Sequence, residues 1–295
     1  METTARHSQR GLINANIATL FFGLAGTLGK LSGLPAPMIT LGRVVFAGLA
    51  LGIWAALAHV SLRPHTRRDL ALMALQGLVL AIHWTSFFQA IVVSNVAIGL
   101  LAFSSFPLFT AALEPLLLHQ RPRPIEVIAA ILILPGIFLL APRFSLDNHA
   151  TQGVLWGLLA GATFALLSVV NRSLSSRYSS VTISFYQDGV AALALLPTIF
   201  LARATQPISV RSLLILVILG VFCTALAHTV FIASLSDITA QLASVVAATE
   251  PVWGIGFAWL LLAEAPTART FIGGAFIVGA ALLPGVVALL RQRPS

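Results

Sequence analysis

The sequence predicts an all-α integral membrane protein whose ten transmembrane helices form two inverted five-helix repeats around a central cavity. The first observation behind this prediction is composition. Of 295 residues, 58% are hydrophobic and 9% are charged, whereas a soluble domain carries roughly 25% charged residues. The second is that the apolar residues form stretches as long as a membrane-spanning helix, ~20 residues.

Ten apolar stretches follow one another along the chain, with short polar segments between them. Their approximate bounds are 12–31, 36–59, 70–91, 95–118, 124–141, 153–171, 180–201, 211–234, 239–262 and 267–290. A polar linker at 142–152 divides them into two sets of five, so the predicted units are a first repeat (12–141) and a second repeat (153–290). The remaining residues, 1–11 and 291–295, are predicted to be cytoplasmic tails.

The two sets of five helices resemble each other. A shift of 144 positions aligns Pro107 with Pro251, and it aligns residues 116–120 with residues 260–264. Identity between the halves is weak, yet the number of helices, the central proline and several polar positions agree. This agreement indicates an internal duplication.

Small residues recur at helical spacing and predict close helix packing in lipid. Gly153, Gly157 and Gly161 share one face of the sixth predicted helix, and Gly48 and Gly52 share one face of the second. We expect both faces to lie against a neighbouring helix.

The distribution of lysine and arginine predicts the orientation. If the N-terminus is cytoplasmic, eleven of the 17 lie in cytoplasmic segments, five lie in the opposite segments and Arg43 lies within a span. This excess follows the positive-inside rule and predicts that both termini are cytoplasmic. Because each repeat has an odd number of helices, the second must be inverted relative to the first. Inverted repeats are typical of secondary transporters, which bind solute near the membrane midplane.

Two charged residues within predicted spans are the first candidates for a substrate-binding site, because ionisable groups in a membrane are costly. Arg43 either pairs with a substrate carboxylate or gates the cavity, or it pairs permanently with an acidic residue or backbone carbonyls and fixes helix packing. Glu250 precedes Pro251, which lacks an N–H and opens the helix locally. Its carboxylate could bind an ammonium group, carry a proton or pair with Arg43.

Polar and aromatic residues in the spans supply the other cavity candidates. His83 and His228 fall at nearly matching positions of the two repeats and could hydrogen-bond substrate or relay protons. Each is also typical of an interhelical hydrogen bond. Trp84 and Phe87 either line an aromatic wall or pack against lipid. The remaining candidates are Asn95, Ser105, Tyr186, Gln187 and Gln241.

Two prolines are predicted to kink spanning helices beside the cavity, because proline removes a backbone donor and clashes with the preceding turn. Pro107 lies in the middle of the fourth predicted helix, and Pro251 lies at the matching position of the ninth. We expect both to act as gating elements.

Several functions are not expected from this sequence. The net charge of +8 comes from arginines scattered between apolar stretches, which does not predict nucleic-acid binding. An ATP site is not expected, because Gly29 and Lys30 match only part of the phosphate-loop motif G-x-x-x-x-G-K-[ST]. Leu24 stands at the first glycine of the motif, and Leu31 stands at the serine or threonine. The chain also lacks the zinc-protease and hydrolase motifs. We therefore expect no cofactor, no metal and no enzymatic activity.

Several segments carry a resemblance to the EamA-type drug/metabolite transporter superfamily. Lys30 ends the first predicted helix, Arg43 lies within the second, residues 251–253 and 260–264 read PVW and LLLAE, and glycines recur in 273–279. Within this superfamily the chain looks most similar to YddG-type amino acid exporters, through the aromatic and polar residues of helices three and four. Gln120 departs from the pattern, because the family usually has a glutamate at this position.

The resemblance implies an alternating-access carrier that exports amino acids, including aromatic ones, across a bacterial inner membrane. The expected partners are a small-molecule substrate and the lipid bilayer, and the oligomeric state is left open. Two alternatives also remain open: a channel, and a translocase for lipids or lipid-linked metabolites with the same fold. A membrane enzyme is a lesser alternative.

Overall fold

A computed structural model describes residues 2–118, 124–140, 145–201, 208–238 and 240–291. Within these ranges the chain is helical and contains no β-strand. The helices are α1 (Glu2–Leu31), α2 (Ala36–Leu57), α3 (Arg67–Val93), α4 (Val96–Phe103), α5 (Phe106–Leu118), α6 (Pro124–Leu140), α7 (His149–Ser175), α8 (Ser180–Leu195), α9 (Thr198–Leu201), α10 (Val210–Gly220), α11 (Ala227–Asp237), α12 (Ala240–Ala247), α13 (Glu250–Leu262) and α14 (Ala268–Arg291).

Many of these helices are apolar enough for a membrane. Among the described residues, six helical segments are long and apolar enough to cross a bilayer: Gln9–Leu31, Ala36–Leu57, Arg67–Val93, Val96–Leu113, His149–Ser175 and Val210–Asp237. Shorter apolar helices cover Val127–Leu140, Glu250–Leu262 and Ala268–Leu283. The prediction of an all-helical membrane protein is confirmed. The count of ten spans and the inverted arrangement stay predictions.

The fourth and ninth predicted helices are each broken just before their proline. α4 ends at Phe103 and α5 begins at Phe106, so Pro107 lies in the first turn of α5. In the same way α12 ends at Ala247, and α13 begins at Glu250 with Pro251 in its first turn. Proline suits a first turn, where its missing N–H would have had no intrahelical partner. The predicted kinks are therefore complete breaks between two short helices.

The predicted span at 211–234 contains a local widening that the sequence does not signal. α10 continues into a π-helical turn at Val221–Leu226, which continues into α11. Within this turn the Thr224 hydroxyl donates a hydrogen bond to the carbonyl of Leu219, five residues earlier, at 2.7 Å. A π turn inserts an extra residue into the helix and changes which side chains face a neighbour. Here it directs residues 223 and 224 towards α2.

Glycines allow α7 to lie directly on α4 and α5. A Cβ atom added to Gly157 would lie 2.5 Å from the Cβ of Ala102, and one added to Gly161 would lie 3.0 Å from the carbonyl oxygen of Phe103. The prediction for the glycine face of α7 is confirmed. The matching prediction for α2 is wrong at Gly48, because a Cβ there would have no atom within 4 Å.

An ion pair joins three helices at one end of the bundle. Lys30, at the end of α1, lies 2.6 Å from Glu264, which follows α13. The same carboxylate accepts a hydrogen bond from the backbone N–H of Val96 at the start of α4, at 3.2 Å. An anion at a helix N-terminus also meets the positive end of the helix dipole. Glu264 thus connects α1 and α4 with the segment that follows α13.

A second charged cluster lies where α3 begins and α7 ends. The Asp69 carboxylate accepts hydrogen bonds from Arg177 at 2.7 Å and from the Tyr178 hydroxyl at 2.8 Å. Burial raises the pKa of Tyr178, which keeps its hydroxyl a donor to Asp69 at neutral pH. The cluster ties the start of α3 to the segment that joins α7 and α8.

We predict that Gly157→Val destabilises the protein while Gly48→Val does not. The added side chain at position 157 would force α7 away from α4, and overpacking of this kind costs about 1–3 kcal/mol. Thermal unfolding in detergent, followed by tryptophan fluorescence, measures the difference. Equal melting temperatures for the two variants would contradict the packing described for α7.

Candidate functional site

A narrow internal cavity lies where α1, α2, α3, α4, α7, α11 and α13 converge. Its volume is about 30 Å³, enough for roughly two water molecules. Most of the lining is aromatic or apolar, and ionisable and hydrogen-bonding side chains interrupt it. The lining residues are Phe22, Ala25, Arg43, Leu80, His83, Trp84, Phe87, Phe103, Phe164, Leu167, Ser168, Asn171, His228, Phe231 and Glu250.

Arg43 is held in this cavity by the π-helical turn. Its Nε donates a hydrogen bond to the Thr224 hydroxyl at 2.8 Å, and an Nη2 proton goes to the backbone carbonyl of Cys223 at 3.1 Å. The residue is 1% exposed, and no carboxylate of the described residues lies within 4.0 Å of it. The guanidinium group has five N–H donors. These two bonds use two of them and leave N–H groups for a ligand.

The guanidinium group also lies over an aromatic face. Its Cζ atom is 4.0 Å from the centroid of the Trp84 ring and 5.2 Å from that of Phe88. A cation over an aromatic ring is attracted by the negative ring face, by ~2 kcal/mol when desolvated. These contacts keep a positive charge at the cavity wall without a permanent ion pair. Arg43 therefore lines the cavity and also joins α2 to the π-helical turn, which is the packing role that the sequence left open.

Glu250 provides a carboxyl group to the cavity. It begins α13, directly after the break before Pro251, and it is 2% exposed. Its carboxylate interacts electrostatically with Arg43, yet the two groups are farther apart than an ion pair. The site thus holds a guanidinium group and a carboxyl group that are not in direct contact.

Two histidines flank the charged pair. His83 Nδ1 lies 2.9 Å from the carbonyl oxygen of Ala160, and a carbonyl only accepts, so Nδ1 carries the proton and Nε2 is an acceptor. His228 meets the Trp84 ring edge-on, with ring centroids 5.4 Å apart. Its Nδ1 atom is buried and has no hydrogen-bond partner among the described residues.

A row of phenylalanines lines the cavity. Phe103 contacts both Phe87 and Phe164, with ring centroids 5.4 and 5.3 Å apart. Phe164 contacts Phe231 at 5.5 Å, and Phe231 contacts Phe22 at 5.8 Å. Aromatic pairs at these distances are mutually attractive. The rings therefore form a continuous apolar wall that a substrate would have to part.

A hydrogen-bond network fixes the polar edge of the cavity. Asn171, on α7, accepts hydrogen bonds through Oδ1 from Nε2 of Gln187 at 2.6 Å and from Nε2 of Gln76 at 3.4 Å. Gln76 also donates to the carbonyl of Leu167 at 3.3 Å. The network connects α3, α7 and α8. Gln187 therefore acts on the cavity through Asn171 and does not line it.

The structure places six predicted cavity residues on the lining and places the others elsewhere. Asn95 begins α4 and accepts the Ile98 N–H at 2.8 Å, as a helix N-cap does. The Ser105 hydroxyl donates to the carbonyl of Ala102 at 2.7 Å in the break before α5. Tyr186 packs in a separate apolar cluster. Gln241 lies in α12, and its side chain falls outside the described residues.

Several lining residues were not predicted from the sequence. Phe22, Phe103, Phe164 and Phe231 resemble any other phenylalanine in a spanning helix, because both lipid-facing and buried positions are apolar. Asn171 carried the best available signal, since it is an amide near the end of a spanning helix beside Arg172. Ser168, which lines the cavity, and Thr224, which accepts a hydrogen bond from Arg43, were also not predicted, because hydroxyls are common at helix contacts in membranes.

The arrangement suits recognition of a small molecule that carries both charges. A carboxylate matches the remaining N–H groups of Arg43, an ammonium matches Glu250, and an apolar side chain matches the aromatic wall. Among the described residues there is no cluster of three His, Cys, Asp or Glu that could hold a metal ion.

Comparison with known proteins identifies the family. The model of the EamA-like transporter family matches the chain twice, at residues 9–141 and 151–285. The chain belongs to the EamA-like transporter family. Membership makes it a multi-pass membrane transporter of small molecules.

Two curated relatives cover most of this transporter. The pseudopaline exporter CntI of Pseudomonas aeruginosa is 27% identical over 276 residues, which span 92% of this chain and 94% of CntI. The transporter YwfM of Bacillus subtilis is 27% identical over 242 residues, which span 80% of each chain. A crystal structure of another protein has the same fold, with a TM-score of 0.70 and 22% identity over 97% of this chain and 99% of that one.

We predict that Thr224→Val destabilises the transporter, because it leaves the Nε–H of Arg43 buried without its acceptor. Loss of one partner of a buried hydrogen bond costs about 1–3 kcal/mol. Thr224→Ser keeps the hydroxyl and serves as the control. Thermal unfolding in detergent should therefore give a lower melting temperature for the valine variant only. Equal melting temperatures for both variants would contradict the role of the π-helical turn.

Proposed function

We propose that this protein is a secondary carrier that exports amino acids, including aromatic ones, by alternating access. The observation that carries the proposal is that Arg43 and Glu250 share one aromatic cavity without pairing directly. An amino acid presents a carboxylate and an ammonium group to these two charges. Its side chain would then contact the rings of Trp84, Phe87 and Phe164.

The small volume of the cavity supports alternating access. A volume of about 30 Å³ holds roughly two water molecules and is too small for an amino acid. Substrate entry therefore requires α-helices to separate. The Lys30–Glu264 ion pair lies at one end of the bundle. The Asp69–Arg177 ion pair lies near helix ends that are predicted to be on the opposite side of the membrane. Opening at one end while the other stays joined is the motion that we propose.

Two features support ten spans in two inverted repeats. The family model matches each half of the chain separately, at 9–141 and 151–285. The breaks before Pro107 and Pro251 lie at matching positions of the two halves. We propose domain bounds of 12–141 and 153–290, with the linker 142–152 between them.

The proposed orientation places both termini in the cytoplasm of a bacterium, with the chain in the inner membrane. The lysine and arginine distribution supports this orientation through the positive-inside rule. The direction of transport is supported by the relative CntI, which is named as an exporter. Asn95, Ser105, Tyr186 and Gln187 then act on the helix framework around the cavity rather than on the substrate, and Gln241 stays a candidate for the substrate-binding site.

We predict that purified transporter in proteoliposomes exchanges radiolabelled amino acids and that Glu250→Gln weakens this exchange. Loss of a charge-assisted hydrogen bond, ~1.5–3 kcal/mol, raises the half-saturating concentration roughly 10- to 100-fold. Asp147→Asn changes an exposed loop carboxylate and serves as the matched control, with wild-type kinetics expected.

The same proteoliposomes distinguish the alternatives. Saturable uptake that internal unlabelled amino acid stimulates supports a carrier, whereas non-saturable flux without such stimulation indicates a channel. Movement of labelled lipid between leaflets without amino acid exchange indicates a lipid translocase. Unchanged kinetics in Glu250→Gln would refute the assignment of this residue to the substrate site.

A further inference from the structure

A buried carboxylate without a partner lies on α8, next to the cavity but outside its lining. Asp188 is 0% exposed, and neither of its side-chain oxygens has a hydrogen-bond partner in the structure. An ionised carboxylate in such a place is very unfavourable unless a charge or several donors compensate it. A cation bound to Asp188 would remove this unfavourable charge.

Among the described residues, no neighbouring polar group of α8 donates a hydrogen bond to Asp188. Gln187 directs Nε2 to Asn171, so its Oε1 atom is left as an acceptor without a partner. The Ser184 hydroxyl, one helical turn before Asp188, is also buried and without a partner. At positions i, i+3 and i+4 these side chains share one helix face. The face therefore presents oxygen atoms that favour a cation.

Other charged groups do not neutralise Asp188 by contact. α8 packs against α2, α3, α7 and α11. From α2, Arg43 interacts electrostatically with Asp188, but its described hydrogen bonds go to the π-helical turn. α3 and α11 contribute His83 and His228, which line the cavity.

The ionisable residues of α7 lie near its two ends, at His149 and Arg172. At the far ends of the other neighbours, Arg67, Arg68 and Asp69 begin α3, and Asp237 ends α11. Asp69 pairs with Arg177, and Asp237 pairs with Arg10. The electrostatic partner of Asp188 among the described residues is therefore Arg43.

A proton is the cation that fits, because both oxygens of Asp188 are fully enclosed by protein atoms. We propose that Asp188 binds the proton that this carrier exchanges for its substrate, an inference that rests on the proposed function. In the closed carrier without substrate, the carboxyl group of Asp188 is protonated and neutral. When water enters from the cytoplasmic side, the proton leaves to water and a carboxylate remains.

This step couples proton and substrate movement. A carboxylate at position 188 opposes closure of the empty carrier, because closure would strip it of water without a compensating charge. The ammonium group of a bound substrate compensates this carboxylate and allows the carrier to close. On the opposite side, substrate release and proton uptake restore the neutral carboxyl group. One proton thus moves inward for each substrate that moves outward.

The first test uses proteoliposomes with radiolabelled L-phenylalanine as the probe. An acidic lumen should drive accumulation of the label by wild-type protein and by the control Asp147→Asn. Asp188→Asn is permanently neutral, so it should lose at least 90% of this accumulation while it still exchanges external label for internal unlabelled L-phenylalanine. Accumulation by Asp188→Asn at the wild-type level would overturn the proposal, as would exchange in the wild type without any effect of the gradient.

The second test needs no substrate and separates the two proposals. Infrared spectra of the reconstituted protein at neutral pH should contain the C=O band of a protonated carboxylic acid that shifts in D₂O. Asp188→Asn should have less intensity in this band than the wild type, whereas Asp147→Asn should have the wild-type intensity. An identical band in wild type and Asp188→Asn would overturn the proton site. Absence of L-phenylalanine exchange in the wild type would instead count against the proposed amino acid substrate.

Discussion

The contact between Arg43 and the π-helical turn of residues 221–226 is the interaction on which the site depends. A regular helix would satisfy its own carbonyls, whereas the widened turn offers the Cys223 carbonyl and the Thr224 hydroxyl to a guanidinium group from α2. This arrangement stabilises a positive charge inside the bundle without a carboxylate. Glu250 can therefore face the same cavity and be available for a ligand.

The rest of the structure shields the Arg43 guanidinium from bulk water, and movement of the helices around it would expose it. Glycines on α7 bring α4 and α5 close enough for Phe103 and Phe164 to close the aromatic wall. The helix breaks before Pro107 and Pro251 place non-helical backbone inside the bundle, where movement of one short helix does not require bending of a long one. The proposed carrier function requires a small cavity between helices that are divided into short segments.

Much of the fold and part of the site could be predicted from the sequence. Arg43, His83, Glu250 and His228 are conspicuous because ionisable residues are rare in apolar helices. The phenylalanines of the wall were missed because lipid-facing and cavity-facing positions are equally apolar. Asn95 was misread as a cavity residue although an asparagine before an apolar run is a helix-cap signal. The π-helical turn has no compositional signature, so the partner of Arg43 could be found only from the structure.

The central claim is that the Arg43 guanidinium binds the carboxylate of the substrate. Binding of L-phenylalanine and of phenethylamine, which lacks the carboxylate, should be measured by calorimetry on wild-type protein and on Arg43→Gln. The account predicts that Arg43→Gln weakens L-phenylalanine binding roughly 10- to 100-fold and leaves phenethylamine binding nearly unchanged. An equal loss of affinity for both compounds would contradict it, because Arg43 would then support the cavity without contacting the carboxylate.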